Sequence, residues 1–194
     1  GTGDGQFDRP RGVSVDGSGN VYVTDLNDDR VQKFDSSGNF LLKWGSMGTG
    51  DGQFRFPWGI AVNGSGNVYV SASNERVQKF DSSGNFITKW GSQGTGDGQF
   101  YDSDGVAVDG SGNVYVADPN SNNNRVQKFD SSGNFLLKWG SEGTGDGQFY
   151  DAFRVAVDGS GNVYVSDRGA LSGSNLRIQK FDSTGNFITK WGSD

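Results

Sequence analysis

Short apolar runs alternate with clusters of Gly, Asn, Asp and Ser along the whole chain. Near the N-terminus the runs are Val13 to Val15, Val21 to Val23, Val31 to Phe34 and Phe40 to Trp44. β-Branched and aromatic residues bounded by turn formers are the signature of strands. The first two runs are joined by Asp16-Gly17-Ser18-Gly19-Asn20 and the last two by Asp35-Ser36-Ser37-Gly38-Asn39. Both links are short and tolerate positive φ, which predicts tight hairpins. The unit so described is a four-stranded antiparallel meander.

The unit recurs. The heptapeptide GTGDGQF opens at Gly1, Gly48, Gly94 and Gly143, dividing residues 1–194 into blades 1–47, 48–93, 94–142 and 143–194 of a single array. One meander cannot bury both of its faces, whereas neighbours stacked around an axis cover them. The first strand of each copy fits such an axis. Its middle residue is small (Ser14, Ala61, Ala107, Ala156) between Val or Ile neighbours. The expected fold is an all-β β-propeller with four blades in this chain. No outer strand is borrowed across the termini, so closure of the ring stays open among three readings: a segment of a longer array, a ring assembled from several chains, or a tight four-bladed monomer. Assembly or a longer chain is preferred.

The motif Pro-x-Gly-Val-x-Val-Asp, seen with variations before each first hairpin, is followed by Val-Tyr-Val-x-Asp, a polar loop with Asn, then Arg-Val-Gln-Lys-Phe-Asp and a Gly turn. This pattern resembles the NHL repeat family and covers the whole chain. The resemblance implies the propeller fold. Activity is not implied, because the family includes RNA-binding and protein-binding propellers and a few lyases and lactonases.

Composition narrows the chemistry. The formal charge of −6 disfavours a nucleic-acid or anionic-membrane partner. The chain contains no Cys, so neither disulfides nor thiolate chemistry is available and the redox compartment is unreadable; it also contains no His, the commonest general base and metal ligand. No stretch approaches the roughly 20 apolar residues of a membrane span, and no segment has the basic and apolar regions of a signal peptide. No cofactor is implied.

Comparing the copies with one another separates the residues that build a blade from those that make this chain particular. The aromatics outside the repeat are Phe56, Trp58, Tyr101, Tyr150 and Phe153, all between GTGDGQF and the first strand. The non-repeating cations are Arg9, Arg11, Arg55 and Arg154 in the same segments, and Arg168 in the link between strands two and three. That link also holds the length variation: residues 26–29, 73–75, 119–124 and 168–176. In a meander both kinds of link emerge at one edge of the sheet, opposite the two invariant hairpins, so the diversity is expected on one face of the disc. Drift of exposed loops favours small polar residues; these are instead the types enriched at binding hot spots. Arg11, Trp58, Asp104 and Phe153 occupy equivalent positions, which places them around the axial mouth. The candidate binding residues are therefore Arg9, Arg11, Phe56, Trp58, Tyr101, Asp102, Asp104, Tyr150, Phe153, Arg154 and Arg168.

Other chemistries fit less well. The Asp-Gly-Ser-Gly-Asn turns lack the remaining ligands of a calcium loop and read as Asx turns. Asp25, Asp118 and Asp167 face Arg30, Arg125 and Arg177 across a hairpin, with Ala72 opposite Arg76 in the second copy; this reads as a structural brace. GTGDGQ has no following Lys or helix, which removes a phosphate cradle and leaves a crossing between blades. Asn63-Gly64-Ser65 is a formal glycosylation sequon in one tight turn, read as chance. A lyase-like or lactonase-like metal site would have to be built from carboxylates such as Asp102, Asp104 and Asp151, so no metal residue is assigned. RNA binding has its aromatic and Arg components here, but Asp8, Asp28, Asp29, Asp102, Asp104 and Asp151 make the face mixed in charge. The sequence thus points to a non-catalytic recognition or scaffold module binding a protein, peptide or glycan. The alternative is a repeat unit that assembles into an oligomeric ring or an extended extracellular assembly.

Overall fold

A computed structural model describes residues 1–120, 122–169 and 175–193; position 121 and most of the variable link at 168–176 lie outside the described residues. Among the described residues, sixteen strands form four antiparallel sheets of four, each in simple chain order. The first sheet holds β1 (Pro10–Val15), β2 (Val21–Asp25), β3 (Arg30–Phe34) and β4 (Phe40–Trp44). The second holds β5 (Pro57–Val62), β6 (Val68–Ala72), β7 (Arg76–Phe80) and β8 (Phe86–Trp90). The third holds β9 (Gly105–Val108), β10 (Val114–Asp118), β11 (Arg125–Phe129) and β12 (Phe135–Trp139). The fourth holds β13 (Ala152–Val157), β14 (Val163–Arg168), β15 (Leu176–Phe181) and β16 (Phe187–Ser193). These sheets are set around a common axis as the four blades of a β-propeller, with β1, β5, β9 and β13 innermost.

The hairpins are Asx turns. Asp16 accepts from the Ser18 and Asn20 amides at 2.9 Å each, and Gly19 turns at φ +83°. The same bonds hold Asp158 near pKa 2, chiefly through the Asn162 side chain and amide. These turns fix the register, so that Val21 faces Phe34 and Asp25 faces Arg30.

Each apolar core lies between two blades. Tyr22, Val31 and Trp44 of the first blade pack against Phe54, Ile60 and Phe80 of the second, and two equivalent clusters follow. Trp44 lies over Gly84 and beside Phe80, with ring centroids 5.8 Å apart. Near the axis, backbones approach too closely for side chains. A Cβ on Gly12, Gly59 or Gly105 would come within 3 Å of the next blade's carbonyl at Trp58, Asp104 or Phe153. The blade interfaces therefore depend on glycine at this position.

The heptapeptide crosses between blades and clasps onto the blade it leads into. The guanidinium of Arg125 donates to the carbonyls of Thr95, Gly96 and Gln99 at 2.7, 3.0 and 2.8 Å. Arg76 does the same with Ala72 where the other copies have Asp. The hairpin ion pairs are present at 3.0 Å for Arg30 with Asp25 and 3.5 Å for Arg125 with Asp118.

Candidate functional site

The two kinds of variable link meet on one side of the disc. The Leu26 amide donates to the Arg9 carbonyl at 3.2 Å, Ser73 to Arg55 at 2.9 Å and Arg168 to Asp151 at 3.1 Å. Buried carboxylates hold the links from beneath. Asp118 accepts from the Tyr101 and Asp102 amides at 3.2 and 3.1 Å, and Asp167 from those of Tyr150 and Asp151 at 3.1 and 3.0 Å. Burial nonetheless pushes the Asp118 carboxyl up to about 6 against these bonds. Loops anchored in this way present side chains from a fixed backbone.

The inner strands then aim three of those side chains. The pairing of β1, β5 and β13 shifts register between Pro10 and Val13, Pro57 and Ile60, and Ala152 and Arg154. Arg11, Trp58 and Phe153 stand in these bulges, where a residue is released from the ladder and its side chain re-aimed. Trp58 and Phe153 meet edge to face, with ring centroids 6.4 Å apart at 79°. The Arg11 guanidinium lies 4.7 Å from the Trp58 centroid. Arg154 and Arg168 lie 4.4 and 3.5 Å from the centroid of Phe153. The result is a continuous series of cations and rings drawn from three blades. Below it, an axial cavity of about 200 Å³ is lined by Arg11, Arg154 and the glycines at 12, 59 and 105.

Asp104, the fourth member of the equivalent set, is buried beside this series. Its carbonyl accepts from Arg154 at 3.0 Å and from Ser71 Oγ at 3.1 Å. Its carboxyl is pushed up to about 6 by burial and then by the charge of Asp102, with Asp151 adding to the rise and Arg154 and Arg168 opposing it. Among the described residues, the carboxylate has no hydrogen bond or ion pair. Asp151 pairs with Arg168 at 2.8 Å, and Asp102 accepts from Asn120 at 3.2 Å. Asp102, Asp104 and Asp151 do not converge: among the described residues no group of three or more acidic side chains is placed to hold a metal ion.

Arg11, Trp58, Phe153, Arg154 and Arg168 are thus brought together, with Asp104 and Asp151 beside them. Arg9 and Phe56 are exposed on the rim, both at positive φ (+64° and +50°). Tyr101 and Tyr150 are half-buried and held through their amides. None of these four makes an aromatic or cation–π contact with the series among the described residues. Two features were not read from the sequence. Ser73 accepts the Trp58 indole N–H at 2.9 Å, fixing that ring. Arg154 occupies the position held by Gly12, Gly59 and Gly105, a difference that was visible when the copies were compared.

The NHL repeat family model matches residues 7–34 and 104–129. Over 43 residues the chain is 51% identical to Protein lin-41 of Caenorhabditis elegans, covering 22% of this chain and 4% of that protein. Over 37 residues it is 49% identical to the B-box type zinc finger protein ncl-1 of the same organism, covering 19% and 4%. The chain therefore spans a small fraction of these relatives. Among solved structures, Kuenenia stuttgartiensis hydrazine synthase aligns with TM-score 0.72 at 13% identity, over 93% of this chain and 48% of that one. Virginiamycin B lyase from Staphylococcus aureus aligns with TM-score 0.66 at 13% identity, over 94% and 55%. Structural likeness at such identity carries the fold alone. The chain carries NHL repeats, at residues 7–34 and 104–129, within a four-blade β-propeller.

Proposed function

We propose that this chain is a non-catalytic recognition module that holds a protein or peptide segment, or a glycan, on the face around the axial mouth. The observation that carries the reading is the series Arg11, Trp58, Phe153 and Arg168, built from residues that do not repeat between blades. A blade needs none of these side chains for its own core, which is made of residues common to all copies. Rigid aromatics flanked by guanidinium groups offer apolar area together with donors for carboxylate or hydroxyl oxygens, the usual make-up of an anchoring patch. The chain contains no His or Cys, and the nearby carboxylates are engaged by cations and amides or buried singly, which disfavours a hydrolytic or lyase reading.

The test is a peptide and glycan array probed with the labelled chain and with the variant carrying Arg11→Ala, Trp58→Ala and Phe153→Ala together. Ligands captured by the parent should be lost by the variant while its circular dichroism is retained. An identical capture pattern for the two proteins overturns the reading.

A further inference from the structure

The apolar core between consecutive blades is built three times, and its two halves recur exposed on the first and fourth blades. The half that each blade presents to the next includes a Tyr and a Trp. Tyr22 and Trp44, Tyr69 and Trp90, and Tyr115 and Trp139 are all covered by the following blade. Their counterparts in the fourth blade are Tyr164 and Trp191, and Trp191 is 49% exposed. The receiving half is a pair of inner-strand aliphatics with a Phe from the heptapeptide. In the second blade these are Ile60, Val62 and the fully buried Phe54. Their counterparts in the first blade are Val13 and Val15, 66% and 57% exposed, and the half-buried Phe7.

The polar contacts repeat in the same way. Lys33, Lys79 and Lys128 donate to the carbonyls of Ser82, Ser131 and Ser183 in the following blade at 3.0, 2.8 and 2.9 Å. Lys180 stands at the equivalent place in the fourth blade, and Ser36 is the equivalent acceptor in the first. Trp44, Trp90 and Trp139 each lie within 3 Å of where a Cβ on Gly84, Gly133 or Gly185 would stand; among the described residues nothing lies within 4 Å of such an atom on Gly38. Trp191 is thus a knob with an exposed, matching place at Gly38 on the opposite flank.

We propose that these flanks join two copies of this chain head to tail, Trp191 and Lys180 of one seating on Gly38 and Ser36 of the next. The joint continues an interface already made three times within the chain, and it is heterologous, so it propagates until a ring closes. One residue sets its tightness. Arg154 replaces the glycine at which, in the other three blades, a Cβ would come within 3 Å of the next blade's carbonyl, so a copy docked in the same way would meet the Arg154 side chain there. Contact between copies is therefore loosened where the inner strands converge, and the joint is weaker than those inside the chain.

The joint and the recognition face meet at Val13 and Arg154, which also line the axial cavity, but self-association and ligand capture are read separately, so either can fail while the other stands. The experiment uses sedimentation velocity on the full chain, with Trp191→Asp and Val13→Asp variants that each spoil one flank at an exposed position. The parent should self-associate. Each variant alone should be monomeric, and an equimolar mixture should form a one-to-one pair, because each retains the flank the other has lost. Arg154→Gly should tighten self-association by about tenfold, the scale of one relieved overpacked contact. A parent that stays monomeric at high micromolar concentration overturns the proposal and leaves the flanks to another occupant. Self-association of either variant alone, or a mixture that stays monomeric, overturns the head-to-tail arrangement. Unchanged or weaker association of Arg154→Gly overturns the role given to Arg154.

Discussion

Trp58 and Phe153 touch edge to face across the axial mouth although they come from the second and fourth blades, their ring centroids 6.4 Å apart. The contact bypasses the third blade, whose equivalent residue is the smaller, buried Asp104. It ties together two inner strands that are not neighbours in the sheet order. Edge-to-face pairs contribute about 0.5–1.5 kcal/mol beyond area burial. A double-mutant cycle with Trp58→Ala and Phe153→Ala should return a coupling energy in that range from urea midpoints. Additive losses would mean that the rings are merely adjacent.

The rings' positions were legible in the sequence, but their contact was not. Comparing copies placed Arg11, Trp58, Asp104 and Phe153 at one equivalent position, and the strand pattern gave the blades. What remained hidden is the bulge that releases residues 11, 58 and 153 from the ladder, since one extra residue leaves no mark on so short a run of apolar positions. The anchoring of Trp58 by Ser73 depends on how the link between β6 and β7 folds back, which no period of the sequence encodes. Equally hidden was the main task of the strand-three arginines. Their pairing with Asp was readable from hairpin register, but their grip on the heptapeptide joins segments of unrelated spacing.

Glycine at the inner strands should be irreplaceable where blades converge and dispensable at the hairpin tips. A Cβ on Gly59 would stand 2.5 Å from the Asp104 carbonyl oxygen, whereas one on Gly64 meets nothing within 4 Å among the described residues. Gly59→Ala should destabilise by about 1–3 kcal/mol through overpacking of backbone. Gly64→Ala should be neutral, or stabilise by up to about 1 kcal/mol by restricting the unfolded chain. Urea unfolding of the two variants beside the parent checks both, and equal effects would refute the difference in inter-blade spacing.

Asp104 makes stability depend on pH in a direction opposite to that of most carboxylates. Its folded pKa of about 6 lies above the ordinary carboxylate value, burial being the main cause. Above pH 6 the folded protein must hold the charge in a desolvated place; as pH falls through 6 it takes up a proton before the unfolded chain does. The Asp104 contribution to stability therefore rises from pH 7.5 towards 5 and is lost as pH rises again. Asp104→Asn should stabilise the protein at pH 7.5, on the order of 2 kcal/mol, and by about half as much at pH 5. Asp118, raised in the same sense, remains in the variant, so the slope is reduced but not removed. The facing charges are Asp102 and Asp151 on one side of the balance and Arg154 and Arg168 on the other. Parallel melts at the two pH values measure the effect; an equal gain at both would assign it to packing alone.

The arginines that open the third strands should not tolerate lysine. Arg125 directs two guanidinium nitrogens at three carbonyls of the heptapeptide from a nearly buried position. An ammonium keeps the charge near Asp118 but cannot reproduce the planar fork, leaving carbonyls of the crossing segment without donors. Arg125→Lys should cost about 2 kcal/mol, the scale of buried carbonyls left without a donor. Arg76 separates this effect from the ion pair, because Ala72 stands where Asp118 would be while the same carbonyls are held. If the grip on the heptapeptide dominates, Arg76→Lys should cost a similar amount in urea unfolding. A marked loss for Arg125→Lys with little for Arg76→Lys would instead place the energy in the pairing with Asp118.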